Sequence, residues 1–235
     1  MAHSISALRV PGALRASATL VIFVMGGFVV EAAWGAEARH VWGSFTTTFD
    51  HTATDDRARN IRLAAKRLDG RVVPPGRVFS FNEAAGNGYG TASTLVDGKR
   101  FDAEGGGLCQ VSTTLYNAVL LAGLGIVERS PHSGPVAYAE PGLDAAVSPE
   151  EGTDFKFRNQ TKHPVLIDAR VDGNRLFVTI HGREPLQRKV ALSQLREGGR
   201  ITSVRTISDA TGEIRREVLS IDRIPARPET RPETR

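Results

Sequence analysis

Apolar residues along this chain recur at two spacings, and each spacing predicts its own elements. Ile61, Ala64, Ala65 and Leu68 fall three and four apart, which is one face of a helix. Thr54 is its predicted cap, Asp55 and Asp56 put acid in the first turn, and Gly70 ends it. The pattern returns at Leu108: Leu108, Val111, Leu115, Ala118, Val119 and Ala122 share one side, and Cys109, Ser112, Thr113 and Tyr116 share the other. This second helix is expected to end near Gly123 or Gly125. Alternating runs predict strands at Phe45–Phe49, Val78–Asn82 and Ile126–Arg129, and from Asp154 to Asn159. Asp97-Gly98, Asp172-Gly173-Asn174 and Thr211-Gly212 separate paired apolar runs and predict three hairpins.

Together these elements read as α+β: a mostly antiparallel sheet packed on two main helices, with a C-terminal β-hairpin extension. The predicted core domain is 39–182, the accessory hairpin 183–226, and the Pro-Glu-Thr-Arg repeat at 227–235 is expected to be disordered. Residues 1–38 are expected to lie outside the fold. Arg9 and Arg15 precede an uncharged stretch from Ala16 to Val30, and small residues follow at Ala32, Ala33, Gly35, Ala36 and Ala38. That is the layout of a secretory signal, and the stretch is shorter than the about 20 apolar residues of a spanning helix. An uncleaved N-terminal segment is the one route to a membrane that this reading leaves.

The chain has 235 residues and a formal net charge of +4, which removal of 1–38 leaves unchanged. Its cations are spread among acids without interleaved aromatics, which argues against nucleic-acid binding. Nothing fixes the oligomeric state, and no metal or cofactor is expected. Gly86-Asn87-Gly88-Tyr89-Gly90 has half a dinucleotide fingerprint but lacks the strand-to-helix context.

The single cysteine, Cys109, follows Gly105-Gly106-Gly107 in the first turn of the second helix. Unpaired N–H groups there favour a thiolate, and glycines admit a substrate backbone. A lone cysteine in an exported chain cannot make an internal disulfide, so it is a dimer bridge or a reactive group. Other uses stay open: a small packed side chain, or an anion held by the helix start. Among six histidines, only His132 lies in a constrained loop shortly after the cysteine helix, Ser130-Pro131-His132-Ser133-Gly134-Pro135, which makes it the candidate base. Asp144 and Asp154 are equal candidates to orient its ring. Gly105, Gly106, Gly107, Gln110, Ser112, Thr113 and Tyr116 are the expected substrate and oxyanion residues.

The blocks Pro75-Gly76-Arg77-Val78-Phe79-Ser80-Phe81-Asn82, Gly105 to Ala118, Glu128 to Ser133 and Asp154 to Asn159 resemble the VanW family in content and order. The resemblance implies an exported bacterial envelope protein, with Cys109 at the position of the cysteine nucleophile of members that act as L,D-transpeptidases of peptidoglycan. The expected function is therefore acyl transfer on stem peptides through a thioester. The alternative is a wall-peptide binding module without chemistry, linked to vancomycin resistance.

Overall fold

A computed structural model describes residues 39–49, 56–96 and 99–223. The expected signal at 1–38, the cap at Thr54, the Asp97-Gly98 turn and the tail at 227–235 lie outside the described residues. The described elements run β1 (His40–Thr48), α1 (Asp56–Leu68), β2 (Val72–Val73), β3 (Val78–Ser80), α2 (Phe81–Ala85), β4 (Thr91–Val96), β5 (Lys99–Glu104), α3 (Leu108–Leu121), β6 (Gly125–Glu128), β7 (Lys156–Arg158), β8 (Val165–Asp172), β9 (Arg175–Gly182), β10 (Arg188–Glu197), β11 (Arg200–Asp209) and β12 (Ile214–Arg223). The fold is α+β, and every described strand pair is antiparallel.

The central sheet has the order β1-β9-β8-β2, with β8 and β9 forming the predicted hairpin about Gly173. Its inner face alternates Val165, Ile167 and Ala169 with Leu176, Val178 and Ile180, all buried, against α1 and α3. Ile61, Ala64, Ala65 and Leu68 are the buried stripe of α1. A smaller sheet, β3-β7-β6, stacks Phe79 on Phe157 with ring centroids 5.1 Å apart and closes the core near Phe155.

Two expectations change. The strand from Val78 stops at Ser80, whose hydroxyl accepts the Glu83 N–H and starts the short helix α2. Ser80 and Glu83 have the spacing of a capping box, a local signal that outweighs the alternation across Phe79 and Phe81. The C-terminal region is a three-stranded meander, β10-β11-β12, in which Arg188–Glu197 adds a strand to the expected pair. The half-buried alternation along β10 is masked in sequence by its many polar residues.

The meander docks where α3 ends. Helix ends leave carbonyls without partners and carry partial negative charge. Buried Arg205 donates to the Leu120 and Leu124 carbonyls, and Arg188 to those of Ala122 and Gly123. Glu217 of β12 balances the Arg205 charge at 2.6 Å.

Candidate active site

The glycine run starts α3 by folding onto its own chain. Gly105 and Gly107 have φ of 75° and 109°, conformations that side chains resist, and the Leu108 N–H donates back to Gly105. Asn60 of α1 donates to the Gly90 and Gly106 carbonyls at 2.8 and 3.1 Å. A Cβ on Gly106 would fall 2.5 Å from the Ala92 carbonyl oxygen, and one on Gly107 2.9 Å from Ile61. The expected room for a substrate backbone at Gly106 and Gly107 is therefore taken by β4 and α1; both residues are buried.

Cys109 is free and partly buried in the first turn of α3, with Sγ 3.4 Å from the Val147 carbonyl, which accepts its hydrogen in the neutral thiol form. His132 lies beside the same sulfur, near enough for each to shift the protonation of the other. The His132 ring is held from its other side: Nδ1 lies 2.6 Å from Asp144 Oδ2, and the His132 backbone N–H donates to the same oxygen at 2.7 Å. A carboxylate has no hydrogen to give, so Nδ1 carries it and Nε2 is the nitrogen left to gain or lose a proton. Tyr138 Oη lies 3.2 Å from that Nε2, with its ring edge-on to the imidazole. The sequence reading missed Tyr138; a tyrosine six residues past the candidate base in a proline-rich loop gave it no periodic signal.

The electrostatics favour an ion pair. Burial works against charge on Cys109, but the hydrogen bond and charge of His132, a Val147 backbone hydrogen bond and the Arg57 charge together hold the thiol below its ordinary pKa. Burial also opposes charge on His132, yet Asp144 and Cys109 raise it from 6.5 to about 9. The Asp144 carboxylate, despite burial, is held below its usual range by His132 and Arg129. Burial raises Tyr138, which stays a neutral phenol.

Asp144, not Asp154, orients the imidazole. Asp154 accepts from Ser80 Oγ at 2.6 Å and from the Asn82 and Phe155 N–H groups, where it joins α2 to the strand it precedes. Nor is the second face of α3 an open one. Ser112 Oγ donates to the Ala145 carbonyl at 2.5 Å, and Thr113 Oγ1 accepts the Ala145 N–H at 3.0 Å. Asn117 donates to the Leu143 carbonyl at 2.7 Å. Gln110 bridges Thr47, Thr48 and Arg57. Tyr116 packs edge-on against Phe155, its phenol pushed up to about 12 chiefly by burial. Gln110, Ser112, Thr113 and Tyr116, four of the expected substrate residues, are thus internal. The signal was present: residues 108–121 contain no charged side chain, and a helix without charge is a buried helix.

The expected oxyanion donors divide as well. The Gln110 N–H donates to the Gly107 carbonyl, whereas among the described residues no hydrogen bond takes up the Cys109 N–H. A cleft of about 340 Å³ opens beside His132 and Asp144, walled by Pro131, Pro135, Gly142 and Ile221; Cys109 is not in its wall. Among the described residues no three or more His, Cys, Asp or Glu side chains gather as metal ligands, and no helix is long and apolar enough to cross a membrane.

The profile of one protein family, described as VanW like protein, matches residues 56–181. The chain is similar to the uncharacterized protein YoaR of Bacillus subtilis, 40% identical over 63% of this chain and 50% of that protein. It is also similar to the vancomycin B-type resistance protein VanW of Enterococcus faecalis, 33% identical over 55% of this chain and 50% of that protein. The chain thus spans about half the length of the curated relatives it matches. No solved structure matches it.

Proposed function

The chain belongs to the VanW family, and from that membership we propose that it is an exported, cysteine-dependent acyltransferase acting on peptidoglycan stem peptides. Kinship with a protein named for vancomycin resistance supports a role at the cell wall. The observation that carries the catalytic reading is the Cys109–His132–Asp144 grouping, in which Asp144 fixes the His132 ring and His132 lowers the Cys109 thiol.

In this reading the thiol proton rests on His132, and the Cys109 thiolate attacks a stem-peptide carbonyl carbon. The Cys109 N–H faces the developing oxyanion; one such donor contributes about 3 kcal/mol. The C–N bond breaks, the leaving amine takes the His132 proton, and a thioester remains on Cys109. The amine of a second stem then attacks the thioester carbon, gives its proton to His132, and releases the thiolate. Water as second nucleophile makes the same site a carboxypeptidase.

One observation favours a second reading, wall-peptide binding without chemistry: the cleft beside His132 leaves Cys109 out of its wall. The two readings part in one experiment. Incubation of the purified chain with disaccharide-tetrapeptide, followed by mass spectrometry, is expected to yield crosslinked or trimmed products with wild type and none with Cys109→Ala. Binding that survives in both proteins, with no product from either, sinks the enzyme and leaves the receptor.

A further inference from the structure

We propose that Asp222, on the last strand of the C-terminal meander, is a positioning residue for the Cys109–His132 pair and acts on it through Arg129 and Asp144. The proposal rests on the catalytic reading of the site for its purpose, but its geometry stands apart from that reading.

Arg129 lies between two carboxylates. Its Nη1 donates to Asp222 at 2.8 and 3.0 Å, its Nη2 to Asp144 Oδ1 at 2.8 Å, and its Nε to the Asp144 carbonyl at 2.6 Å. The side chains of Arg129, Asp144 and Asp222 are only 6%, 7% and 12% exposed, so little water screens them. Ser220 fixes Asp222 with a hydrogen bond of 2.9 Å. The aromatic face of Tyr116 lies 5.8 Å from the Arg129 guanidinium.

Charge balance gives the arrangement its meaning. Arg129 and Asp144 alone form a neutral pair, which would leave the Cys109 thiolate as the one uncompensated anion to hold a proton on the buried imidazole. The second carboxylate changes that. Two carboxylates and one guanidinium leave a single net negative charge, which adds to that of the Cys109 thiolate in favouring an imidazolium at His132. Arg129 thereby fixes the direction of Asp144 without cancelling the charge that His132 needs. The titratable groups around the ring are Asp144, Cys109 and Tyr138, with Arg129 and Asp222 behind Asp144, Arg57 acting on Cys109 and Tyr138, and Arg223 in the wall of the same cleft.

Asp222 lies outside residues 56–181, the segment that the family profile matches. The accessory sheet is then a working part of the site rather than an appendage. The other anchors of the sheet, Arg205 and Arg188, bind the carbonyls at the end of α3 and touch neither Arg129 nor Asp222.

The test is an NMR titration of the His132 ring in the full chain, with the resonance assigned by its loss in His132→Gln. Asp222→Asn, which keeps shape and removes charge, is expected to lower the His132 midpoint by about one unit, a roughly tenfold drop in the ratio of charged to neutral ring. Ser220→Ala shifts it the same way by less and serves should Asp222→Asn not fold. Glu217→Gln, which loosens the same sheet at Arg205, leaves the midpoint where it is. A folded Asp222→Asn, or failing that Ser220→Ala, that titrates as wild type overturns the proposal. So does an equal shift in Glu217→Gln, because the effect would then be general loosening. The catalytic reading fails separately, by lack of product from the wild-type chain, while the His132 titration still reports on Asp222.

Discussion

Asp144 Oδ2 meets His132 twice, accepting the ring Nδ1–H at 2.6 Å and the backbone N–H at 2.7 Å. The two bonds fix both the residue and the rotation of its ring, so Nε2 is held where Tyr138 Oη meets it, on the side of the ring away from Asp144. A histidine in an exposed loop would otherwise lose side-chain entropy on reaching the sulfur. The pair can therefore be read as a unit whose parts fail together.

Loss of Asp144 should be severe for chemistry. Asp144→Asn removes the charge that stabilises the imidazolium and allows the wrong tautomer. A drop of about 10⁴ in turnover is expected, the scale known for such acids. Comparing kcat with KM on the disaccharide-tetrapeptide checks it: kcat falls and KM holds.

The reactivity of Cys109 should depend on pH in a specific direction. Its partners hold the thiol below its ordinary value against the opposing effect of burial. Iodoacetamide labelling of wild type is expected to show a midpoint below about 8.5. In His132→Ala, burial is no longer opposed by the ring, and the midpoint rises past that value. Turnover should also fall as pH climbs through about 9, where His132 gives up the proton it hands to the leaving amine. A wild-type midpoint at or above about 8.5 would count against the ion pair.

Thr113 is expected to matter for stability more than for substrate affinity. Its hydroxyl accepts the buried Ala145 N–H, one residue past Asp144. Thr113→Val leaves that group unsatisfied, at a cost of about 1–3 kcal/mol by urea denaturation. KM should stay near wild type, because the side chain faces the protein's own loop.

Gly106→Ala tests the packing role of the glycine run. The added Cβ meets the Ala92 carbonyl oxygen at 2.5 Å, and backbone on both sides must shift. A loss of roughly 1–3 kcal/mol is expected in thermal or urea unfolding. An unchanged stability would mean that β4 does not lie against the turn.

The sequence by itself determined the elements whose causes are local. The α1 stripe, the hairpin around Gly173 and the helix start behind Gly107 each follow from residues within a few positions of one another. It also presented Cys109 in a first turn and His132 in a stiff loop, because backbone conformation is set by near neighbours. Only the tertiary structure decided which acid meets His132. Asp144 and Asp154 are equivalent as isolated residues, and the choice came from α3, whose Ser112, Thr113 and Asn117 pin the backbone around Asp144. The same hydroxyls looked like a cleft face in sequence, since a helical period separates apolar from polar side chains but does not say what covers the polar ones. Arg129 and Asp222 are 93 residues apart in the chain and 2.8 Å apart in space. A hydrogen bond requires placement within a few tenths of an ångström, and over such a separation only packing of the whole chain supplies it.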